Sequence, residues 1–411
     1  MTAILRIYGL ATRALLPLAM RSERKKLAAA GMEDRLPEKL GHGDSPRPEG
    51  RLLWVHAASV GESLSALNLI TRLTKRARIL VTTGTPTSAK LMAARLPEGA
   101  FHRFAPLDAS AAVARFLDHW RPDAALFIES ELWPHMIQAL EARGLPRALV
   151  NARMSETSLK RWQKRPATAR ALLSGFALVL TQTDRLAHAL AHLGAPRAEK
   201  ARNLKSMAAP LPTDAGLMAE VPPKAWVAAS THPGEEELIL NAHAIVLEQH
   251  PDATLLLAPR HPERGEAVAR LIANRGWPAP RRSAGEGPGG PVWLIDTLGE
   301  LGSLYAAAPI VFLGGSLTKV GGHNPYEPAQ HGAAILTGPH IQNFTEAFEE
   351  FDTRKAVQQV ASVQALASTV ANMLTHPPLL HARREAVRDV ASRQAEGLDR
   401  IEAQIVKALG L

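Results

Sequence analysis

Short apolar runs that alternate with helix-patterned stretches constrain this chain more than any other feature. In the first half they lie at 51–59, 78–83, 123–129, 147–152 and 176–182, with helical spacing between them, as in 62–75 and 184–193. In the second half they lie at 226–230, 254–259, 292–296, 310–315 and 333–337. Strands that alternate with helices imply parallel sheets covered on both faces. A chain of 411 residues exceeds one ordinary core, so two domains are expected. Residues 206–224, rich in Pro and small side chains, read as the linker between them. The fold class is therefore α/β, with two doubly wound, Rossmann-like domains facing a cleft. Ligands of such sheets bind beyond the C-terminal ends of the strands.

The N-terminus stands apart. Residues 3–20 are apolar but too short to span a bilayer comfortably, and Arg6 and Arg13 interrupt them. On a helix, Arg6, Gly9 and Arg13 share one narrow stripe. Leu5, Ile7, Leu10, Leu15, Leu16 and Leu18 take the remaining surface, and Arg21, Arg24, Lys25 and Lys26 follow. This pattern predicts a membrane-anchor helix over residues 1–26, lying in the interface among anionic headgroups. The competing reading is a helix packed on the protein's own core. A signal peptide is disfavoured, because neither a basic leading region nor a small-residue cleavage site is present.

Charge and cysteine usage narrow the function classes. The formal net charge of +9 calls for an anionic partner: nucleic acid, anionic lipid or a phosphorylated substrate. Aromatic content is only 5%, and neither zinc-finger spacing nor an RNP-type run occurs, so nucleic acid is not expected as a partner. The absence of cysteine excludes disulfides and thiolate zinc sites.

Polar clusters follow the apolar runs. Glu62 comes after His56-Ala57-Ala58-Ser59-Val60-Gly61 at a strand-to-helix turn, where it can accept a proton from a sugar hydroxyl. A first-turn Glu is also favoured by the helix dipole alone. Glu129 and Glu131 end another run and would face one side of a continuing strand. Capping of the next helix is the alternative. Arg153 can hold a phosphate or carboxylate through its planar fork. In the second half, Ser230 and Thr231 end one run, Pro259 and Arg260 a second, and Gly314, Gly315 and Ser316 a third. Asn324 can cap a helix that would point at a phosphate, with Glu327 within reach of a ribose. Several phosphate-friendly strand ends in one α/β domain point to a nucleotide. A Walker A pattern and an opening GxGxxG are both missing, which disfavours NTPases and dinucleotide oxidoreductases. The histidines do not cluster at metal spacing, so neither a metal nor a cofactor is expected.

These motifs together resemble one family. WVHAASVGES, FIESELWPHMI, NARMS, ASTHPGEE, APRHPER, FLGGSLTKVGGHNPYEPAQHG and TGPHIQNF are similar, in order and spacing, to the 3-deoxy-D-manno-oct-2-ulosonic acid (Kdo) transferases of lipopolysaccharide synthesis. The resemblance implies a GT-B glycosyltransferase that moves Kdo from CMP-Kdo to a lipid A precursor, lipid IVA. It implies an inverting, metal-independent transfer at the cytoplasmic face of the inner membrane. It assigns 27–205 to acceptor binding and 225–411 to CMP-Kdo binding, with the last helix able to pack back on the first domain. It makes Glu62 the general base, places Glu129 and Glu131 beside the active site, and gives Pro259, Arg260, Gly314, Gly315, Ser316, Asn324 and Glu327 to CMP. One stretch departs from the family. Where Gly-x-Leu-Lys-Phe-Asp is usual, this chain reads Arg202-Asn203-Leu204-Lys205-Ser206-Met207. Two rival readings stand: a GT-B enzyme using another nucleotide sugar, and a basic, membrane-bound nucleic-acid binder, whose phosphates Glu62, Glu129 and Glu131 would repel.

Overall fold

The computed structural model describes residues 2–207 and 209–411; the side chain of Lys205, kept from the family motif, lies outside them, as does Ala208 of the expected linker. The chain divides into two compact units, Met1–Ala209 with Glu396–Leu411, and Pro210–Ala395.

Among the described residues, the first unit holds seven parallel strands. They are β1 (Leu52–His56), β2 (Arg78–Thr83), β3 (Ala100–Phe104), β4 (Ala124–Ile128), β5 (Arg147–Ala152), β6 (Leu178–Thr181) and β7 (Ala198–Lys200). Their order is β3-β2-β1-β4-β5-β6-β7. The second unit repeats the pattern with β8 (Ala225–Thr231), β9 (Thr254–Pro259), β10 (Val292–Leu294), β11 (Ile310–Leu313), β12 (Ala334–Thr337) and β13 (Val357–Gln359). Here the order is β10-β9-β8-β11-β12-β13. Strand order reverses between β1 and β4, and again between β8 and β11. Those switch points are where loops part and a ligand can enter.

Alternation along each strand builds two apolar layers per sheet. Leu52 and Trp54 of β1 join one layer, while Leu53 and Val55 join the other. Trp226 and Ala228 of β8 face one layer of the second unit, and Val227 and Ala229 face its partner. The α/β expectation therefore holds. The sequence-based reading missed β3, β7 and β13, all of them edge strands. The final helix, Pro377–Leu409, contributes Leu398, Ile401, Ile405 and Leu409 to a core layer of the first unit.

The N-terminal helix runs from Ala3 to Ala29, three residues beyond the expected anchor, with Thr2 as its cap. One face docks on the first unit. Leu5 and Leu27 are buried, Tyr8 Oη donates to Asp108 at 2.8 Å, and Thr12 Oγ1 meets His135 Nε2 at 3.0 Å. Leu5 thus leaves the apolar set assigned to the outer surface. Ile7, Leu10, Leu15 and Leu18 remain exposed, Leu10 to 70%. The helix is both docked and apolar on its free side.

Candidate functional site

In the first unit the site forms at the β1/β4 switch point. After β1 the chain turns through Ala57 and Ala58 into the helix Val60–Leu73, capped by Ser59. Ser59 Oγ accepts the Glu62 amide at 3.3 Å and donates to Glu62 Oε1 at 2.9 Å. The Ala58 amide donates to Glu62 Oε2 at 2.8 Å. This reciprocal box fixes the carboxylate at the mouth of the strand turn. Burial, then the charge of Glu131, raises the Glu62 carboxyl above the usual range, against the lowering effect of the Ser59 and Ala58 hydrogen bonds; Glu129 raises it further. A half-buried carboxylate raised this way is a better proton acceptor than a solvated one.

Glu129 and Glu131 do not extend the strand as the sequence suggested. β4 ends at Ile128, and Glu129 adopts the left-handed region at φ 61°. Neither carboxylate caps the following helix, Pro134–Ala142. Asp108 does so instead, accepting the amides of His135 and Met136 at 3.1 and 2.9 Å. Glu129 is buried and faces Asn151 Nδ2 at 3.4 Å and the Arg153 guanidinium at 3.6 Å. Glu131 Oε2 stands 3.3 Å from His56 Nε2 and accepts from Trp133 Nε1. Burial alone would raise Glu131, but the adjacent His56 imidazole, with Trp133, holds it below the usual range. His56 in turn meets Thr82 Oγ1 at 2.9 Å, and Thr82 accepts the Trp54 indole at 2.8 Å. This buried chain orients Glu131, whose charge bears on Glu62. His56, Thr82 and Trp133 stood inside quoted motifs or strands, but nothing in their spacing marked them as partners of Glu131.

An open pocket of about 510 Å³ lies above these groups, lined among others by Ser59, Glu62, Glu129, Arg153, Ser155 and Trp162. Four of the sequence-predicted acceptor-side residues thus belong to one neighbourhood, three of them on the pocket wall and Glu131 just behind.

The second unit collects its predicted residues at the β8/β11 switch point and the end of β9. Ser230 is left-handed at φ 57°, where the register of β8 on β9 shifts between Ala229 and Thr231. Thr231 is fully buried, and its hydroxyl donates to Glu236 at 3.2 Å. Ser316 is also buried. Its hydroxyl donates to the Leu313 carbonyl and accepts the Gly338 amide at 2.8 Å. These two side chains hold loops in place and present no free donor. The amides of the glycine loop are occupied as well. Glu235, fully buried, accepts Gly315 N at 2.6 Å, Leu317 N at 2.8 Å, Ser316 N at 2.9 Å and His232 N at 3.0 Å. Sequence reasoning missed Glu235, because a Glu at a helix start already has a sufficient local reason.

Gly314 fits because its missing Cβ would lie 2.6 Å from the Ser230 carbonyl. Pro259 is buried at the end of β9, whereas Arg260 is exposed and bonded through its own amide to the Thr231 carbonyl at 3.0 Å. Asn324 Oδ1 accepts the Tyr326 amide at 3.1 Å, and its Nδ2 faces Glu327 at 3.4 Å. Burial raises the Glu327 carboxyl, with Asn324 and Arg260 opposing.

Two doubly wound units carrying their polar clusters at C-terminal strand ends define the class, an enzyme of the GT-B glycosyltransferase fold. The crystal structure of the glycosyltransferase VinC in complex with dTDP aligns over 87% of this chain and 99% of its own, with a TM-score of 0.51 at 14% identity. The family model for 3-deoxy-D-manno-octulosonic-acid transferase (kdotransferase) matches residues 34–208. A probable mitochondrial 3-deoxy-D-manno-octulosonic acid transferase of Arabidopsis thaliana is 34% identical, covering 94% of this chain and 92% of the relative. The 3-deoxy-D-manno-octulosonic acid transferase of Haemophilus influenzae is 35% identical, covering 80% of each. The chain belongs to the Kdo transferase family.

Proposed function

We propose that this enzyme transfers Kdo from CMP-Kdo to a hydroxyl of a lipid A precursor, lipid IVA, in a single inverting displacement with Glu62 as general base. The first unit takes the acceptor and the second the donor. The acceptor oxygen attacks the anomeric carbon, the bond from that carbon to the phosphate oxygen breaks, and Glu62 receives the hydroxyl proton. The observation that carries the reading is the Glu62 carboxylate, raised by burial and by Glu131, on the wall of an open pocket at the β1/β4 switch point. Arg153, on the same wall, is suited to an acceptor phosphate. Glu131 acts through its charge on Glu62 and is a positioning residue. On the donor side Arg260 is exposed and Asn324 and Glu327, bonded to each other, are half-buried beside it, so these three are the groups suited to a nucleotide, while Ser230, Gly314 and Gly315 shape the loops. Pro259 ends β9 and sets Arg260. Thr231 and Ser316 act from within the structure.

The N-terminal helix supports a membrane surface as partner, at the cytoplasmic face of the inner membrane. Its free face is apolar, and Arg21, Arg24, Lys25 and Lys26 follow it along the same helix. The test is incubation with CMP-Kdo and tetra-acylated lipid A precursor in the presence of chelator, read by mass spectrometry beside Glu62→Ala. Kdo addition by the wild type alone supports donor, acceptor and base. A folded wild type that makes no product, yet does so with another nucleotide sugar, would move the donor assignment there.

A further inference from the structure

Lys39 is a buried cation that the transfer reaction leaves unused. It lies on the short 3-10 helix Glu33–Leu40, just after the N-terminal helix, and is 3% exposed. A buried ammonium is costly unless it is paired and hydrogen-bonded, whereas a methionine would fill similar space without that cost. Lys39 Nζ donates to the Gly84 carbonyl at 2.8 Å and stands 3.1 Å from Glu23 Oε2, on the N-terminal helix Ala3–Ala29. It also lies 4.8 Å from the centroid of the Phe104 ring. The neighbouring carboxylates have other cations. Glu23 accepts Lys26 Nζ at 2.7 Å, and Glu38 takes Arg35 through two bonds at 2.6 and 2.9 Å and accepts the Phe104 amide. His102, from β3, meets Arg35 at 3.2 Å and the Thr83 hydroxyl at 2.9 Å. Charge balance in the cluster therefore does not require Lys39, and its remaining partner is the Gly84 carbonyl.

Gly84 is the first residue beyond β2, and it braces the turn that carries Glu62. The ladder of β1 on β2 runs past the strand ends. The Ala57 amide donates to the Thr82 carbonyl at 3.0 Å, and the Gly84 amide donates to the Ala58 carbonyl at 2.9 Å. The two backbones are close there, since a Cβ on Gly84 would lie 3.1 Å from that Ala58 oxygen. Ala58 then gives its own amide to Glu62 Oε2 at 2.8 Å. An unbroken series of hydrogen bonds thus runs from Lys39 to Gly84, from Gly84 to Ala58 and from Ala58 to the carboxylate. Behind Lys39 it continues to Glu23, so it starts on the N-terminal helix and ends at the pocket wall.

We propose that Lys39 is a positioning residue for Glu62: by holding the Gly84 carbonyl it fixes the turn whose Ala58 amide aims the carboxylate, and through Glu23 it ties the docking of the N-terminal helix to that aim. The proposal rests on the reading of Glu62 as general base. A base works only from within hydrogen-bond reach of the proton it takes, so small displacements of its turn are felt in the rate. Replacing Lys39 with an apolar residue leaves the Gly84 carbonyl without this donor and frees the turn to shift. The N-terminal helix then has a second role beside its apolar outer face, because its inner face supplies the carboxylate that pairs with Lys39.

The experiment is steady-state transfer from CMP-Kdo to the tetra-acylated lipid A precursor by the full chain, followed across pH for several variants, each with its melting temperature. Lys39→Met should fold, because Glu23 keeps Lys26 and Glu38 keeps Arg35. It should lower kcat by roughly 10- to 100-fold with little change in either KM. The Ala58 hydrogen bond lowers the Glu62 carboxyl, while burial, Glu131 and Glu129 raise it. Weakening that bond therefore moves the acid limb of kcat/KM to higher pH. Lys39→Arg can still donate to Gly84 and Glu23, and should restore most of kcat and return the limb. Glu23→Ala should act in the same sense as Lys39→Met but less; no change in kcat or limb would detach the helix from the coupling. Gly84→Ala presses on the Ala58 carbonyl with every buried charge in place, and should also lower kcat and raise the limb. A folded Lys39→Met with wild-type kcat, or with an unmoved limb, overturns the proposal even if its melting temperature falls. If Lys39→Met does not fold, a wild-type kcat and limb in Gly84→Ala overturns it. Wild-type activity in Glu62→Gln overturns the base reading itself, and this inference with it; an inactive Glu62→Gln beside an unaltered Lys39→Met overturns this inference alone.

Discussion

Gly61 follows β1 and Gly314 follows β11, each beside the switch point of its own sheet, yet the structure gives them opposite tolerance for a methyl group. At Gly314 an added Cβ would lie 2.6 Å from the Ser230 carbonyl oxygen, 2.8 Å from Thr231 Cα and 2.9 Å from the Ala229 carbonyl oxygen. All three are backbone atoms of β8, so the β8 and β11 ends must separate. Overpacking of this kind costs about 1–3 kcal/mol. For a domain of this size that lowers the melting temperature by roughly 2–12 °C. At Gly61 nothing lies within 4 Å of the added Cβ, and the residue is in the first turn of a helix. Alanine there should be neutral or gain up to about 1 kcal/mol. Its methyl would, however, enter the pocket beside Glu62. Scanning calorimetry and steady-state transfer assays on both variants separate the effects. Gly314→Ala should melt earlier and bind CMP poorly. Gly61→Ala should melt no earlier than wild type while KM for the acceptor rises. A Gly314→Ala enzyme with wild-type melting and CMP affinity would refute the steric account of the loop. An unchanged acceptor KM in Gly61→Ala would remove the acceptor from that wall of the pocket.

Glu62→Gln should lower kcat by about 10²–10⁴-fold at constant fold, the usual contribution of a general base. Glu131→Gln removes the charge that helps raise Glu62, so the acid limb of the kcat/KM profile should move to lower pH; a limb that stays or moves upward contradicts the coupling. On the N-terminal helix, Leu10 and Leu18 are 70% and 62% exposed. With about 2 kcal/mol for a fully buried Leu, replacing both by Ser should weaken binding to anionic vesicles by roughly 30- to 100-fold without changing the melting temperature, as read by sedimentation. In the second unit His243 accepts the Trp226 indole on Nδ1 at 3.1 Å and meets the Pro291 carbonyl on Nε2 at 2.8 Å, so both nitrogens are satisfied only in the neutral ring. Burial depresses it to about 4. Its folded value lies below its unfolded one, so the stability it confers is complete above about 6.5 and is lost as pH falls towards 4, about 3 kcal/mol in all. His243→Gln should flatten the melting curve across that window, and an unchanged slope would refute the assignment.

The central strands were legible because both of their faces are covered. Leu52 to His56 is buried at every position, which writes an unbroken apolar run into the sequence. Three of the four edge strands were not; the fourth, β10, is buried at every position and was read. Ala100–Phe104 carries His102 and Arg103, Ala198–Lys200 is largely exposed, and Val357–Gln359 buries only its first residue. An edge strand with one open side needs no apolar signature. The position of Glu62 was legible because a strand, a small-residue turn and a first-turn carboxylate are all local. The fate of Glu129 was not, since the period-two rule presumes a strand that continues, and this one stops a residue earlier. Glu235 ties down Gly315 and Ser316, and His232 meets His323, across stretches of chain that no local pattern spans. The sequence names the residues at each strand end, and only the packing of two loops decides which side chains are left free.

That division bears on where strain is kept. Glu129, Asn151 and Ser230 are non-glycine residues in the left-handed region, at φ 61°, 58° and 57°. Each costs of order 1–3 kcal/mol against relaxed backbone and persists only where its surroundings over-determine it. All three stand at or just beyond the C-terminal ends of β4, β5 and β8, and the last two coincide with register shifts. Asn151 accepts the Leu204 amide at 3.2 Å and gives its carbonyl to Gln182 Nε2 at 3.2 Å, so its turn is held from two sides. Glu129 is held by Asn151 and Arg153. Ser230 is held by the tight approach of Gly314. If the strain served only to close loops, glycine would do so at lower cost at each position. A side chain is kept at Glu129 because its carboxylate faces the pocket, and at Asn151 because its amide holds that carboxylate. Replacing Asn151 with Gly should therefore relax the backbone while releasing Glu129, so that activity falls further than stability does. A variant that loses stability and activity in step would show the turn itself, and not the carboxylate it aims, to be what matters.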